Sequence, residues 1–143
     1  MKIEVRYYSR SGNTRKLAEA IAEQAGCTAQ DISAPIDGYT DLLFLGASVY
    51  AGGIDNNVKE FISLLNKDTV GSVAVFSTSA LAERAYPQIK KELDKKGVTV
   101  LDKNFYCRGK FMFFHRGRPN SEDIAAVKSF AADLIASSDS QGE

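Results

Sequence analysis

Little in this 143-residue sequence is in excess, and its shortages set the first limits. Eighteen basic residues balance eighteen acidic ones, leaving a net charge of zero. Nothing overall then draws the chain to nucleic acid or to an anionic membrane, although local patches remain open. Only two cysteines and one histidine are present. Cys27 and Cys107 stand alone, with no CxxC or Cys/His cluster, which argues against a metal site and for reduced thiols in a cytoplasmic protein. Met1-Lys2-Ile3-Glu4 enters a strand pattern at once, leaving no room for a signal peptide, and no apolar run approaches membrane-spanning length. Two nucleotide signatures are also missing. Without Gly-x-x-x-x-Gly-Lys-Ser/Thr, no lysine is placed on a reacting γ-phosphate; without Gly-x-Gly-x-x-Gly, the close pyrophosphate approach of a dinucleotide fold is not indicated.

What is present is a regular alternation. At 44% hydrophobic the chain is long enough to bury one sizeable core. We expect a single domain over residues 1–136 and a flexible, low-complexity tail over residues 137–143. Strand patterns fall near residues 2–8, 27–32, 42–47, 72–77 and 98–107, and the middle ones are continuous apolar runs of the kind buried on both faces of a sheet. Between them run helical stripes: Leu17/Ile21/Ala25, Val58/Phe61/Ile62/Leu65, Ala85/Ile89/Leu93 and Ile124/Val127/Phe130/Leu134. The pattern predicts an α/β, doubly wound, five-stranded parallel sheet.

One link breaks the rhythm. Residues 33–41 are too few for a full crossover helix, so the helix between strands two and three should be reduced or absent. With strand order 2-1-3-4-5, one face of the first two strands then loses its cover. Glu4 and Arg6 share a face of strand one, opposite Ile3, Val5 and Tyr7. They are expected on the thinly covered face, partly solvated and paired across the pleat.

The candidate site begins at Ser9-Arg10-Ser11-Gly12-Asn13-Thr14, a hydroxyl-rich turn between the first strand and the first helix. Helix-start N–H groups, the positive end of the macrodipole and the freedom of Gly12 suit an anion, best a terminal monophosphate that is held and not transferred. The same residues also suit an ordinary N-cap, with Ser11 or Asn13 capping. Ligands of doubly wound sheets sit beyond the carboxyl ends of the strands where the winding reverses. Two more loops should meet there: Ala47-Ser48-Val49-Tyr50-Ala51-Gly52-Gly53 and Thr78-Ser79-Ala80-Leu81. Tyr50 can stack on a flat ring, and the glycines allow close backbone approach. The stretch 105–118, with Arg108, Lys110, His115, Arg116 and Arg118 among aromatics, starts at the same edge. It can shape a rim, bind an anionic or aromatic ligand, or simply pack onto the sheet.

These residues carry a resemblance. The turn at residues 9–14 resembles the Thr/Ser-x-Thr/Ser-Gly-x-Thr phosphate loop of flavodoxins, and Gly46-Ala47-Ser48-Val49-Tyr50 falls where flavodoxins have Gly-x-x-x-Trp. The second loop is also similar to that of flavodoxin-like protoporphyrinogen oxidases. Flavodoxins are themselves a known instance of the switch-point rule. The resemblance implies FMN as cofactor. Ser9, Ser11, Asn13 and Thr14 would be phosphate ligands, with backbone from Arg10 and Gly12. Tyr50 would cover a flavin face, and Thr78, Ser79 and Ala80 would contact the pyrimidine end. It further implies an electron carrier working between redox partner proteins. The alternative is an FMN-dependent oxidoreductase, quinone-linked or using NAD(P)H. No nucleic-acid partner, catalytic side chain or metal ligand is implied. Two departures stand out: Leu81-Ala82-Glu83-Arg84 offers no second aromatic, and the chain lacks a strongly acidic surface.

Overall fold

In the computed structural model, which describes residues 1–50, 53–79, 85–109 and 117–141, strands and helices alternate as the apolar pattern demands. The strands are β1 (Ile3–Tyr7), β2 (Ala29–Asp31), β3 (Thr40–Tyr50), β4 (Gly53–Ile54), β5 (Val70–Ser79), β6 (Thr99–Val100) and β7 (Phe105–Arg108). The helices are α1 (Asn13–Ala25), α2 (Asn56–Ser63), α3 (Tyr86–Asp94) and α4 (Ser121–Gln141). The sheet runs β2-β1-β3-β5-β6, with β7 also on β5, and all of these pairings are parallel. This is the doubly wound α/β sheet expected.

Two cores follow from the alternation of side chains across the pleat. Leu42, Phe44, Ala74 and Phe76 face α1 and α4, whereas Leu43, Leu45, Val73 and Val75 face α2 and α3. Leu17 and Ile21, one turn apart on α1, are fully buried, and each such side chain contributes about 1.5–3 kcal/mol. Gly46 is fixed by this packing: a Cβ there would meet the Phe76 ring at 2.2 Å.

Three local expectations need correction. The fifth strand is split. Val73 pairs Val100 and Phe76 pairs Phe105, so β5 advances three residues while its partner advances five. The surplus is shed between β6 and β7 at residues 101–104, as in a bulge. Helix α4 continues through Ser137 to Gln141, where a frayed tail was expected. The third concerns Arg6. No helix links β2 and β3, as expected, but Arg6 is 2% exposed and not solvated. The short link lies over it and presents carbonyls that no helix satisfies. Arg6 donates to Ala34 O at 2.9 Å and Pro35 O at 3.1 Å, and pairs with Glu4 at 2.9 Å. A buried charge is tolerable only when paired and hydrogen-bonded in this way. The pairing was foreseen; the burial was not.

Candidate functional site

Helix α1 begins without a side-chain cap. Gly12 is its N-cap at φ 88°, a left-handed conformation that favours glycine, and so provides no side-chain cap. Neither Ser11 nor Asn13 takes that role. The first turn holds no acidic residue, so nothing there opposes an anion at the positive end of the dipole. Ser9 Oγ instead accepts from Gly12 N at 3.0 Å, curling the turn. The helix starts at Asn13, four residues before the first residue of its apolar stripe, Leu17.

The helix start is tied to the sheet by three hydroxyls. Ser48 and Thr78 are Cα partners across β3 and β5, and Thr14 meets both. Thr14 Oγ1 lies 2.6 Å from Ser48 Oγ and 2.9 Å from Thr78 Oγ1, and the last two are 3.0 Å apart. Each hydroxyl can donate once and accept, so the triangle closes on itself. All three side chains are buried, where an unpaired hydroxyl would be costly. The first, second and third loops are thereby joined at one point.

The second loop is more structured than expected. Strand β3 runs on through Ser48 and Val49 to Tyr50, and β4 returns antiparallel, pairing Val49 with Ile54 and Tyr50 with Gly53. Ala47 and Val49 point into the core against α2 and α3. Gln88 of α3 braces this return: its Oε1 accepts from Ile54 N at 3.0 Å and would collide with a Cβ on Gly53 at 2.6 Å. Asp55 caps α2, accepting from Asn57 N at 2.8 Å, and Arg10 reaches across from the first loop to pair with it. The Asn57 N–H holds the Asp55 carboxyl below its usual range, with Arg10 helping against partial desolvation.

On the other side, β7 brings Gly109 against α1. Gly109 N donates to Ser79 O at 3.2 Å, and a Cβ on Gly109 would meet Asn13 Nδ2 at 2.7 Å. Arg108 lies 5.7 Å from the Tyr106 ring centroid, and among the described residues its buried Nη1 has no hydrogen-bond partner. Arg118 is differently engaged. It clasps Asp123 at 2.5 and 2.8 Å, while Asn120 N donates to Asp123 and Asp123 N donates to Asn120 Oδ1. Burial raises the Asp123 carboxyl, but Arg118 and the Asn120 N–H outweigh it, so the net shift is downward. Nearby, burial pushes the Cys107 thiol up to about 12, with Asp123 adding to the effect, which makes it inert.

Neutral donors at an uncapped helix start, with two strand ends converging on it, suit a phosphate group. The family model described as flavodoxin domain matches residues 5–116. The chain belongs to the flavodoxin family. No curated protein matches its sequence. Among solved structures, a flavodoxin from the domain Archaea is similar at TM-score 0.80 and 19% identity, covering 97% of this chain and 99% of its own. Flavodoxin 2 from Bacillus cereus is similar at TM-score 0.71 and 19% identity, over 96% of this chain and 99% of its own. A flavoprotein from Lactobacillus acidophilus, solved in complex with FMN, gives TM-score 0.60 and 23% identity over 75% of this chain and 92% of its own. At such identities the likeness speaks for the flavodoxin fold.

Within that fold the sequence-predicted residues take distinct places. Ser9, Arg10, Ser11, Gly12, Asn13 and Thr14 form the turn and helix start, with Ser11 exposed and Asn13 and Thr14 buried. Ser48 and Thr78 join it through the triangle, and Ser79 lies beside Gly109. The Tyr50 side chain, Ala51, Gly52, Ala80, Leu81 and the basic residues Lys110, His115 and Arg116 lie outside what is described. Gln88, Asp55 and Gly109 were not singled out. Gln88 carries no sequence signal. Asp55 does, as the N-cap before an apolar stripe, but its pairing with Arg10 spans 45 residues.

Proposed function

We propose that this chain holds FMN with its phosphate at the start of α1, and shuttles low-potential electrons between redox partner proteins. The observation that carries the reading is the uncapped, acid-free start of α1, locked by the Thr14–Ser48–Thr78 triangle to the ends of two central strands. The donor set fits the group. Ser9, Ser11 and Asn13 offer neutral donors at the positive end of the α1 dipole. Family membership and the FMN in the Lactobacillus acidophilus flavoprotein support the same cofactor. When bound, FMN supplies the redox chemistry.

The chain supplies binding and electrostatics. Because its hydroxyl is engaged with Ser48 and Thr78, Thr14 contributes its backbone N–H. Tyr50 would cover a ring face, and backbone at Ala51, Gly52 and Gly53, with Thr78, Ser79 and Ala80, would meet the polar edge, as the flavodoxin resemblance implies. Gln88 holds Gly53 and Ile54 in place. The unpartnered Nη1 of Arg108 puts positive charge at this end of the sheet, which offsets the negative charge that reduction brings to a flavin. Arg118, tied to Asp123, does not take part.

Anaerobic reductive titration of the purified protein tests this. Reduction of bound FMN in two separate one-electron steps is expected of a carrier. A single two-electron step, with rapid oxidation of NAD(P)H or reduction of a quinone, would instead establish the FMN-dependent oxidoreductase.

A further inference from the structure

The carboxyl ends of β1 and β2, together with α2, enclose a groove of about 350 Å³ that the site described above does not use. Its apolar side is Ile32, Phe61 and Leu64; Leu64 is 71% exposed although aliphatic. Asp31, Ser33, Asn57 and Glu60 supply the polar atoms. Tyr8 closes the end nearest the phosphate loop, since Ser9 is the next residue. The groove exists because the link from β2 to β3 is short: a crossover helix would lie over this face.

Topology says what the groove can hold. β1, α1 and β2 form one βαβ unit, with the glycine turn at its first βα junction. The turn lacks the Gly-x-Gly-x-x-Gly fingerprint of dinucleotide folds, so the likeness is confined to the acid: in those folds an acidic residue at the end of the second strand, about 20 residues after the turn, accepts from ribose hydroxyls. Asp31 ends β2 at that place. Its Oδ1 accepts from Ser33 N at 2.9 Å, which fixes the carboxylate and leaves Oδ2 open to a diol. Between loop and groove stands a cation. Arg10 pairs with Asp55 and contacts Tyr8, while Asn57 donates to the Tyr8 hydroxyl at 3.3 Å. The α1 start, Arg10 and the groove thus form a sequence that matches phosphate, second phosphate and nucleoside.

We propose that this groove takes the adenosine half of a flavin dinucleotide, so that the chain binds FAD as well as FMN. Rested on the phosphate site proposed above, the second phosphate lies beside Arg10, the ribose diol on Asp31 and the adenine against Ile32, Phe61 and Leu64. Among the described residues, two carboxylates and no lysine or arginine line the groove, which disfavours a 2′-phosphorylated ribose.

Calorimetric titration of the flavin-free protein with FMN and with FAD tests the assignment, together with the variants Asp31→Ala and Leu64→Asp. The wild type is expected to bind FAD at least as tightly as FMN. Each variant should weaken FAD about tenfold, the loss of one charged hydrogen bond or of the apolar wall, and leave FMN within about twofold. Leu64 is exposed, so its variant does not depend on the Asp31 turn for folding. FMN binding with FAD rejected overturns this inference alone, as do variants that shift both flavins equally or neither. Binding of neither flavin overturns the phosphate-site reading beneath it as well.

Discussion

Helices α1 and α4 pack side by side on one face of the sheet, yet they begin in opposite ways. α4 closes its own start: the backbone N–H groups of Asn120 and Asp123 each donate to the other's side chain, Arg118 clasps the Asp123 carboxylate, and Glu122 adds a second acid in the first turn. α1 starts on a left-handed glycine, with no side-chain cap and no acid. A capping box satisfies helix-end donors from within the chain. Where a helix start has neither a side-chain cap nor an acid, beside buried hydroxyls drawn from two other strands, there is room for an anion. The difference teaches that a helix start becomes a site through what is withheld from it.

Giving α1 the acid it lacks should have the largest effect. Ser11→Asp places a carboxylate at the exposed edge of the turn. Two like charges about 5 Å apart repel by about 3 kcal/mol at an effective dielectric of 20, so FMN affinity should fall roughly a hundredfold, by calorimetry, with the apoprotein melting no lower. Taking from α4 the acid it has should act on the other quantity. Asp123→Ala removes the box and leaves Arg118 unpaired, lowering stability by about 1–2 kcal/mol in urea titration while FMN affinity stays within about twofold. If both variants moved affinity and stability together, the contrast between the two helix starts would be wrong.

The same contrast has a pH signature. Asp123 sits below its ordinary value of 3.8 in the folded protein, so its contribution is complete above about that pH and is lost as pH falls through the depressed value. Asp55 behaves alike. Asp123→Asn should flatten the acid limb of a stability profile and lower the plateau near neutrality, because the contribution of the carboxylate is present there. A smaller effect is expected at Gly109, whose added Cβ would push on Asn13: Gly109→Ala should weaken FMN several-fold, about 1 kcal/mol, in the same titration. Finest of all is the comparison of two arginines. Arg108→Gln should lower the potential of bound flavin by tens of millivolts, whereas Arg118→Gln should leave it unchanged, because Arg118 is already paired.

Much of this was legible in the sequence because period and spacing are local. The apolar runs fixed the buried strands, the stripes fixed the helix faces, and the hydroxyl-rich turn marked the α1 start. What escaped depends on distant partners. Nothing near Arg6 shows that the carbonyls of Ala34 and Pro35 will cover it, so its burial was missed. The break between β6 and β7 is a mismatch of advance against β5 and has no signature in residues 98–107 alone. Val49 read as loop because β3 extends beyond its neighbours, and its inward place is set by β4 returning along it. Gln88 is one polar residue on an amphipathic helix until Gly53 is brought beneath it. The Thr14 triangle shows the limit best: three hydroxyls foreseen at one edge are seen to bond one another, so Thr14 serves the site as an anchor.

The central claim is that α1 leaves its start open for the phosphate of a flavin. Titrating the flavin-free protein with FMN and with riboflavin, which lacks only that phosphate, measures it directly. The account predicts that FMN binds at least about a hundredfold more tightly, a difference of about 2.7 kcal/mol. Equal affinity for the two, or tighter binding of riboflavin, would contradict it.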